Sequence, residues 1–285
     1  MKASISNSFL SLSVLSKGAE LCSLQLLATA KEYIWEGDPA FWGKHSPVLF
    51  PIVGTLKNNQ YYYNGLEYHL LRHGFARDNE FELIINEESR LVYALKSNEA
   101  TKKLYPFEFE LQIGYTINEQ VLSISYTVIN KGAVDMPFSI GAHPAFALNK
   151  PFNHYSLAFE EQETLNCYPL KEDLIDNNPF TIELKDRKLD LEYRLFEKDA
   201  LIFKELQSKE VTIMENDKAM LKVSFDDFKS LGLWTKIGAG FICIEPWLGY
   251  SDGTEASGNL EEKEGILFVK AKSSYKCQFT IELIN

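Results

Sequence analysis

Basic residues are scarce in this 285-residue chain: 29 Lys and Arg stand against 40 Asp and Glu, a formal charge of −11. Binding to a nucleic-acid backbone requires clustered Lys and Arg, and no such cluster is present, so nucleic acid is not an expected partner. The same charge argues against adhesion to anionic membranes. No stretch approaches the roughly 20 apolar residues of a membrane span. Met1-Lys2 is followed by Ser-rich alternation (Phe9 to Leu15) rather than a continuous apolar segment, which argues against a cleaved signal peptide. The four cysteines, Cys22, Cys167, Cys243 and Cys277, show no CxxC spacing. Cys22 and Cys243 lie inside apolar runs, as reduced core thiols of a cytoplasmic protein would, and a structural zinc site is not expected. Repeats, low-complexity tracts and Pro/Gly/Ser linkers are also missing, so a single domain over 1–285 is the simplest organisation.

What the chain does contain is short strand-like segments. Leu10 to Val14 alternates apolar residues with Ser, and Leu21 to Leu27 is a second run. Asn64-Gly65 lies between aromatic-rich arms and signals a hairpin. Further runs at Phe81–Ile85, Leu91–Leu95, Phe107–Tyr115, Leu122–Ile129, Val211–Met214, Met220–Phe225, Gly240–Glu245, Ile266–Val269 and Cys277–Leu283 predict an all-β chain, a large antiparallel sandwich or barrel. Residues 191–206 read as a short helix or a loop with apolar anchors.

Three polar side chains stand out against these runs: His73, His143 and Glu245. Glu is rarely buried without a partner, and an unpaired buried charge is expensive. Singly, each His reads as a hydrogen-bonded core residue and Glu245 as one half of a salt bridge. Together they suggest acid–base chemistry, with donor and acceptor expected on opposite sides of a substrate. Trp42 and Trp247 flank turn-like glycines, where aromatic faces suit a sugar. Arg72 and Arg77 bracket His73, and a guanidinium suits an anionic or hydroxyl-rich ligand. Arg77 and Asp78 read equally well as a structural ion pair.

Six segments occur in the order found in aldose 1-epimerases: Gly18-Ala-Glu-Leu21, Tyr33-Ile-Trp35, Phe50-Pro-Ile-Val-Gly54, His73-Gly-Phe-Ala-Arg-Asp78, Gly141-Ala-His-Pro-Ala-Phe146 and Cys243-Ile-Glu-Pro-Trp247. The chain therefore resembles the aldose 1-epimerase (galactose mutarotase-like) family over essentially its whole length, and looks most like its LacX-like branch. The resemblance implies a large antiparallel β-supersandwich of the galactose mutarotase type. It implies His143 as general acid and Glu245 as general base, with His73 as a substrate ligand. It also implies Asp199, through a looser match, as a further ligand. No cofactor or metal is implied, and the partner is a small sugar, a hexose or related aldose. The sequence leaves monomer and homodimer both open.

One departure matters. The better-known galactose mutarotases carry an Arg-rich element after the early glycine, and here Val53-Gly-Thr-Leu-Lys-Asn58 has none. Lys57, Lys44 and Arg77 are the available substitutes, although Lys is a point charge rather than a fork. With Trp247 they complete the expected sugar-binding set of His73, Arg77, Asp199, Trp247 and Lys57.

The reaction implied is the interconversion of α and β anomers by acid–base ring opening and closure. Three rivals stay open. The His-Gly-Phe-Ala-Arg element also looks like that of hexose-6-phosphate epimerases, the scaffold is compatible with a non-catalytic carbohydrate-binding domain, and two His plus one carboxylate is a non-haem iron ligand set.

Overall fold

The computed structural model describes residues 1–284. Its architecture is all-β and antiparallel. A nine-stranded sheet runs in the order Lys188–Asp190, Tyr155–Phe159, Glu210–Glu215, Lys218–Ser224, Ser274–Leu283, Val121–Asn130, Phe109–Asn118, Arg90–Lys96 and Glu82–Asn86. A six-stranded sheet contains Leu201–Phe203, Ser230–Trp234, Phe241–Leu248, Ile140–Ala142 and Val48–Leu49, with Ala145–Ala147 paired beside the central strand. A four-stranded sheet spans Lys2–Ser6, Leu10–Leu15, Glu20–Leu26 and Lys31–Glu32. No helix among the described residues is long and apolar enough to cross a membrane.

The burial pattern of each strand follows its place. Val121–Asn130 alternates half-buried and buried residues without a break, as a sheet with one face on the core must. Phe241–Leu248 is buried at all eight positions. Ile242, Ile244 and Leu248 enter the main hydrophobic core, whereas Cys243, Glu245 and Trp247 occupy the opposite face. That two-sided burial is why this strand reads as a continuous apolar run. The Asn64-Gly65 hairpin forms as its sequence predicts: both residues have positive φ (50° and 74°) and Tyr63 pairs with Leu66.

Residues 191–206 resolve into a 3₁₀ turn, Tyr193–Phe196, followed by the strand Leu201–Phe203. The one α-helix among the described residues, Glu99–Leu104, begins at an Asn98/Thr101 capping box. Thr in place of the usual Glu or Gln at the third position weakens that signal in the sequence.

Candidate functional site

Strand register builds the site. Gly141 pairs with Trp247 and Ala145 with Cys243, so His143, in the break between Ile140–Ala142 and Ala145–Ala147, falls opposite Glu245. Pro144 and Pro246 have no N–H to extend the ladder, which leaves this cross-strand position free of regular pairing. On the other side, Gly232 pairs with Glu245 and Trp234 with Cys243. One face of three neighbouring strands thus presents Trp234, Cys243, Glu245, His143 and Trp247 as adjacent side chains.

His143 Nε2 lies 3.3 Å from Glu245 Oε2, and both residues are buried. The two residues expected to act as acid and base are therefore side by side, where the sequence suggested opposite sides of a substrate. Cross-strand pairing enforces the proximity, since directly opposed Cβ atoms sit roughly 4.5–5.5 Å apart. Trp42 stacks on the His143 ring at 4.9 Å, and Trp234 meets it edge-on at 5.7 Å. Indole walls thereby fix the imidazole plane.

Trp247 is seated by glycines. A Cβ at Gly232 would come within 2.6 Å of its Cζ2, and one at Gly141 within 2.6 Å of its Cδ1. Gly232→Ala should therefore displace the indole and cost about 1–3 kcal/mol, the usual penalty of overpacking. Calorimetry and tryptophan fluorescence of the variant measure both effects; a native melt with an unchanged spectrum would contradict this packing.

His73 sits at φ 70°, a left-handed conformation uncommon for a residue with a side chain. A reciprocal pair holds it there. Its own N–H donates to Gly54 O at 2.8 Å, and Gly54 N–H donates to His73 Nδ1 at 3.1 Å. An amide always donates, so Nδ1 is the bare nitrogen and Nε2 carries the proton. The approach of Arg72 Nε to that Nε2 at 3.4 Å thus brings two donors together, an arrangement that an acceptor oxygen of a ligand would satisfy.

These groups line one cavity of about 250 Å³, together with Arg72, Arg77 and Asp199. That is just under the roughly 300–1,000 Å³ of sites for drug-sized ligands and suits a single sugar ring. Among the described residues, six buried polar side-chain atoms lack a hydrogen-bond partner. Four of them belong to this cavity: Arg77 Nε, His143 Nδ1, Glu245 Oε2 and Trp247 Nε1. A larger cavity of about 490 Å³ beside Lys204 and Tyr250 contains none of the six.

Burial drives Glu245 well above the ordinary carboxylate pKa; nearby Arg72 opposes this and Asp199 adds to it. Burial also pulls His143 down to about 3, with Arg77 and Arg72 acting in the same direction. His73 is held well below its ordinary value by burial, then by His143, Arg72 and Arg77. Burial thus disfavours the charged form of all three groups.

Asp199 reaches the cavity wall, but Arg72 grips it with two hydrogen bonds, 3.1 and 3.3 Å, and also holds Asp173 at 3.2 Å. Arg77 lines the cavity and donates to Arg72 O at 2.8 Å, 3.8 Å from Asp78 through Nε. Lys57 is the correction: it does not line the cavity. Its N–H is tied to Asp252 Oδ2 at 2.9 Å, at the start of the turn leading into the Asn64-Gly65 hairpin. Lys44 is likewise engaged, with Asp78 at 3.2 Å. Arg72, noticed in the sequence only as a neighbour of His73, supplies the guanidinium at the rim. Its signal was its position in the motif, but its pairing across 127 residues was not readable.

Among the described residues, no two His and one carboxylate bring their ligand atoms together as an iron set would. The cluster that forms is His143, Cys243 and Glu245, whose ligand atoms lie within 4.8 Å of one another. His69, four residues before His73, lies on a strand and pairs with Glu67 at 3.1 Å.

Known proteins resemble this chain in sequence and fold. Residues 1–264 match the aldose 1-epimerase family. The chain is 33% identical, over the full length of both proteins, to the chromosomally encoded protein LacX of Lactococcus lactis subsp. lactis. Its structure superposes on a galactose mutarotase related enzyme from Lactobacillus acidophilus with a TM-score of 0.95 at 33% identity, covering 100% of this chain and 98% of that one. A galactose mutarotase-like protein from Lactobacillus casei matches with a TM-score of 0.92 at 28% identity over the whole of both chains. The chain belongs to the aldose 1-epimerase family.

Proposed function

We propose that the protein interconverts the α and β anomers of an unphosphorylated aldose by general acid–base ring opening and closure. The observation that carries this reading is the buried His143/Glu245 pair, 3.3 Å apart, with unpaired atoms at a sugar-sized cavity. The two oxygens that exchange protons in a hemiacetal, O1 and the ring oxygen, share one carbon. Groups serving them must therefore be neighbours, as these two are.

The cycle begins with one proton on the pair, and burial favours its place on Glu245. As the sugar binds, that proton crosses to His143 Nε2. Glu245 then takes the O1 proton as base, and His143 delivers its proton to the ring oxygen as acid. The C1–C2 bond rotates and the ring closes on the other face, with both transfers reversed. His73, a neutral donor through Nε2, steers the ring oxygen. Trp247 offers an apolar face, and the Arg72/Asp199 couple and Arg77 meet hydroxyl groups. A raised carboxylate pKa brings the base nearer to working pH, where general catalysis is most efficient.

The two arginines at the cavity favour a second reading, a hexose-6-phosphate substrate. Arg72, however, is already committed to two carboxylates, which a phosphate would have to displace. Polarimetry with fresh α-D-glucose, α-D-galactose and glucose 6-phosphate tests both. Acceleration of a free sugar over buffer is expected; acceleration of the phosphorylated sugar alone would replace the substrate, and binding without acceleration would leave a carbohydrate-binding module.

A further inference from the structure

We propose that His143, Cys243 and Glu245 form a binding site for a thiophilic divalent cation such as Zn2+, and that the bound ion silences the acid–base pair. Only the silencing rests on the function proposed above; the binding does not.

The three side chains are buried neighbours on one face of the sheet, and one ligand atom from each lies within 4.8 Å of the others. One of them has an unanswered valence: Glu245 Oε2 is buried, 3.3 Å from His143 Nε2, with no hydrogen-bond partner. Burial disfavours the carboxylate form of Glu245, and a bound cation is a partner that would offset that cost. Thiol, imidazole and carboxylate together form a set that favours zinc-like ions over Mg2+ or Ca2+, which take oxygen ligands. Three protein ligands with a fourth position facing a cavity is the arrangement of an open zinc site.

Geometry allows it with modest movement. Zn–S bonds of about 2.3 Å and Zn–N bonds of about 2.0–2.1 Å place the atoms of a one-sulfur tetrahedral set roughly 3.3–3.6 Å apart. The longest separation here must close by about an ångström, within the range of side-chain rotation. Binding expels two protons, one from the Cys243 thiol, which a coordinated metal deprotonates outright, and one from the His143/Glu245 pair. With the metal on both groups, neither can exchange a proton with a sugar, so cation and sugar compete.

Cys243 does not line the sugar cavity, which makes it the informative handle. Co2+ titrated into the purified, metal-free protein should give a near-ultraviolet thiolate-to-cobalt band saturating at one equivalent and displaced by Zn2+. Cys243→Ser should abolish the band, leave anomer interconversion at the parental rate and raise the Zn2+ concentration for half-inhibition at least tenfold. Should that variant fail to fold, Glu245→Gln should weaken Co2+ binding at least tenfold. No band in the parent, or a band surviving in Cys243→Ser and hence arising from Cys22, Cys167 or Cys277, overturns the proposal. A Cys243-dependent band in a protein that accelerates no sugar upholds the site and removes the catalytic reading.

Discussion

On the proposed function, replacing Glu245 by Gln should lower the rate of anomer interconversion by about 10²–10⁴-fold, the usual worth of a positioned acid–base group. The same substitution stabilises the protein at alkaline pH. Burial raises the native pKa of Glu245 above its unfolded value, so the folded chain holds a proton that the unfolded chain releases. Native stability therefore falls as pH climbs from the ordinary carboxylate range through the raised value. Gln has no such proton, so Glu245→Gln should melt above the parent at pH 8 and beside it at pH 4. His143 acts with the opposite sign. With its native pKa pulled to about 3, the parent loses stability as pH falls from about 6.5 towards that value, a loss that His143→Asn should escape. Polarimetry and calorimetry across pH read both effects. Parental turnover in Glu245→Gln, or a lower melting point at pH 8, would remove the carboxylate from its assigned place.

The largest stability effect is expected far from the proton-transfer pair. Lys263 and Asp252 form an ion pair at 2.8 Å with side chains only 2% and 4% exposed. Lys263 Nζ also donates to Tyr250 O at 2.6 Å, and Asp252 receives the N–H of Lys57. Lys263→Ala leaves the carboxylate buried without its cation, which costs about 3–5 kcal/mol. Removing both partners with apolar residues should restore much of that loss, because the expense lies in the orphaned charge. The pair ties the loop after Phe241–Leu248 to the Gly54–Lys57 segment whose amide holds His73. Denaturant unfolding of the single and double variants decides the matter; a single variant within 1 kcal/mol of the parent would show the pair to be dispensable.

Much of this was legible in the sequence. Alternating runs marked the long strands, Asn64-Gly65 marked its hairpin, and the out-of-place polarity of His73, His143 and Glu245 singled out residues the fold gathers round one cavity. Register was not legible. Nothing in Gly141–Phe146 or Cys243–Trp247 alone says that position 143 faces 245, so donor and acceptor were expected across a ligand from each other, not next to each other. Long-range polar pairing was equally hidden. Arg72 reaches Asp199 across 127 residues, and the Lys57 backbone N–H is held by a carboxylate 195 residues later. Short strands such as Met136–Phe138 and Ala145–Ala147 escaped because three residues cannot display a period.

Trp247 lying across Gly141 and Gly232 also makes the effects of changing these three residues interdependent. A methyl group at either glycine meets the indole at 2.6 Å, whereas a smaller residue at 247 opens the space that such a methyl would fill. The three positions are thus coupled: the cost of Gly232→Ala should be smaller when Trp247 is already replaced by a smaller residue than in the parent.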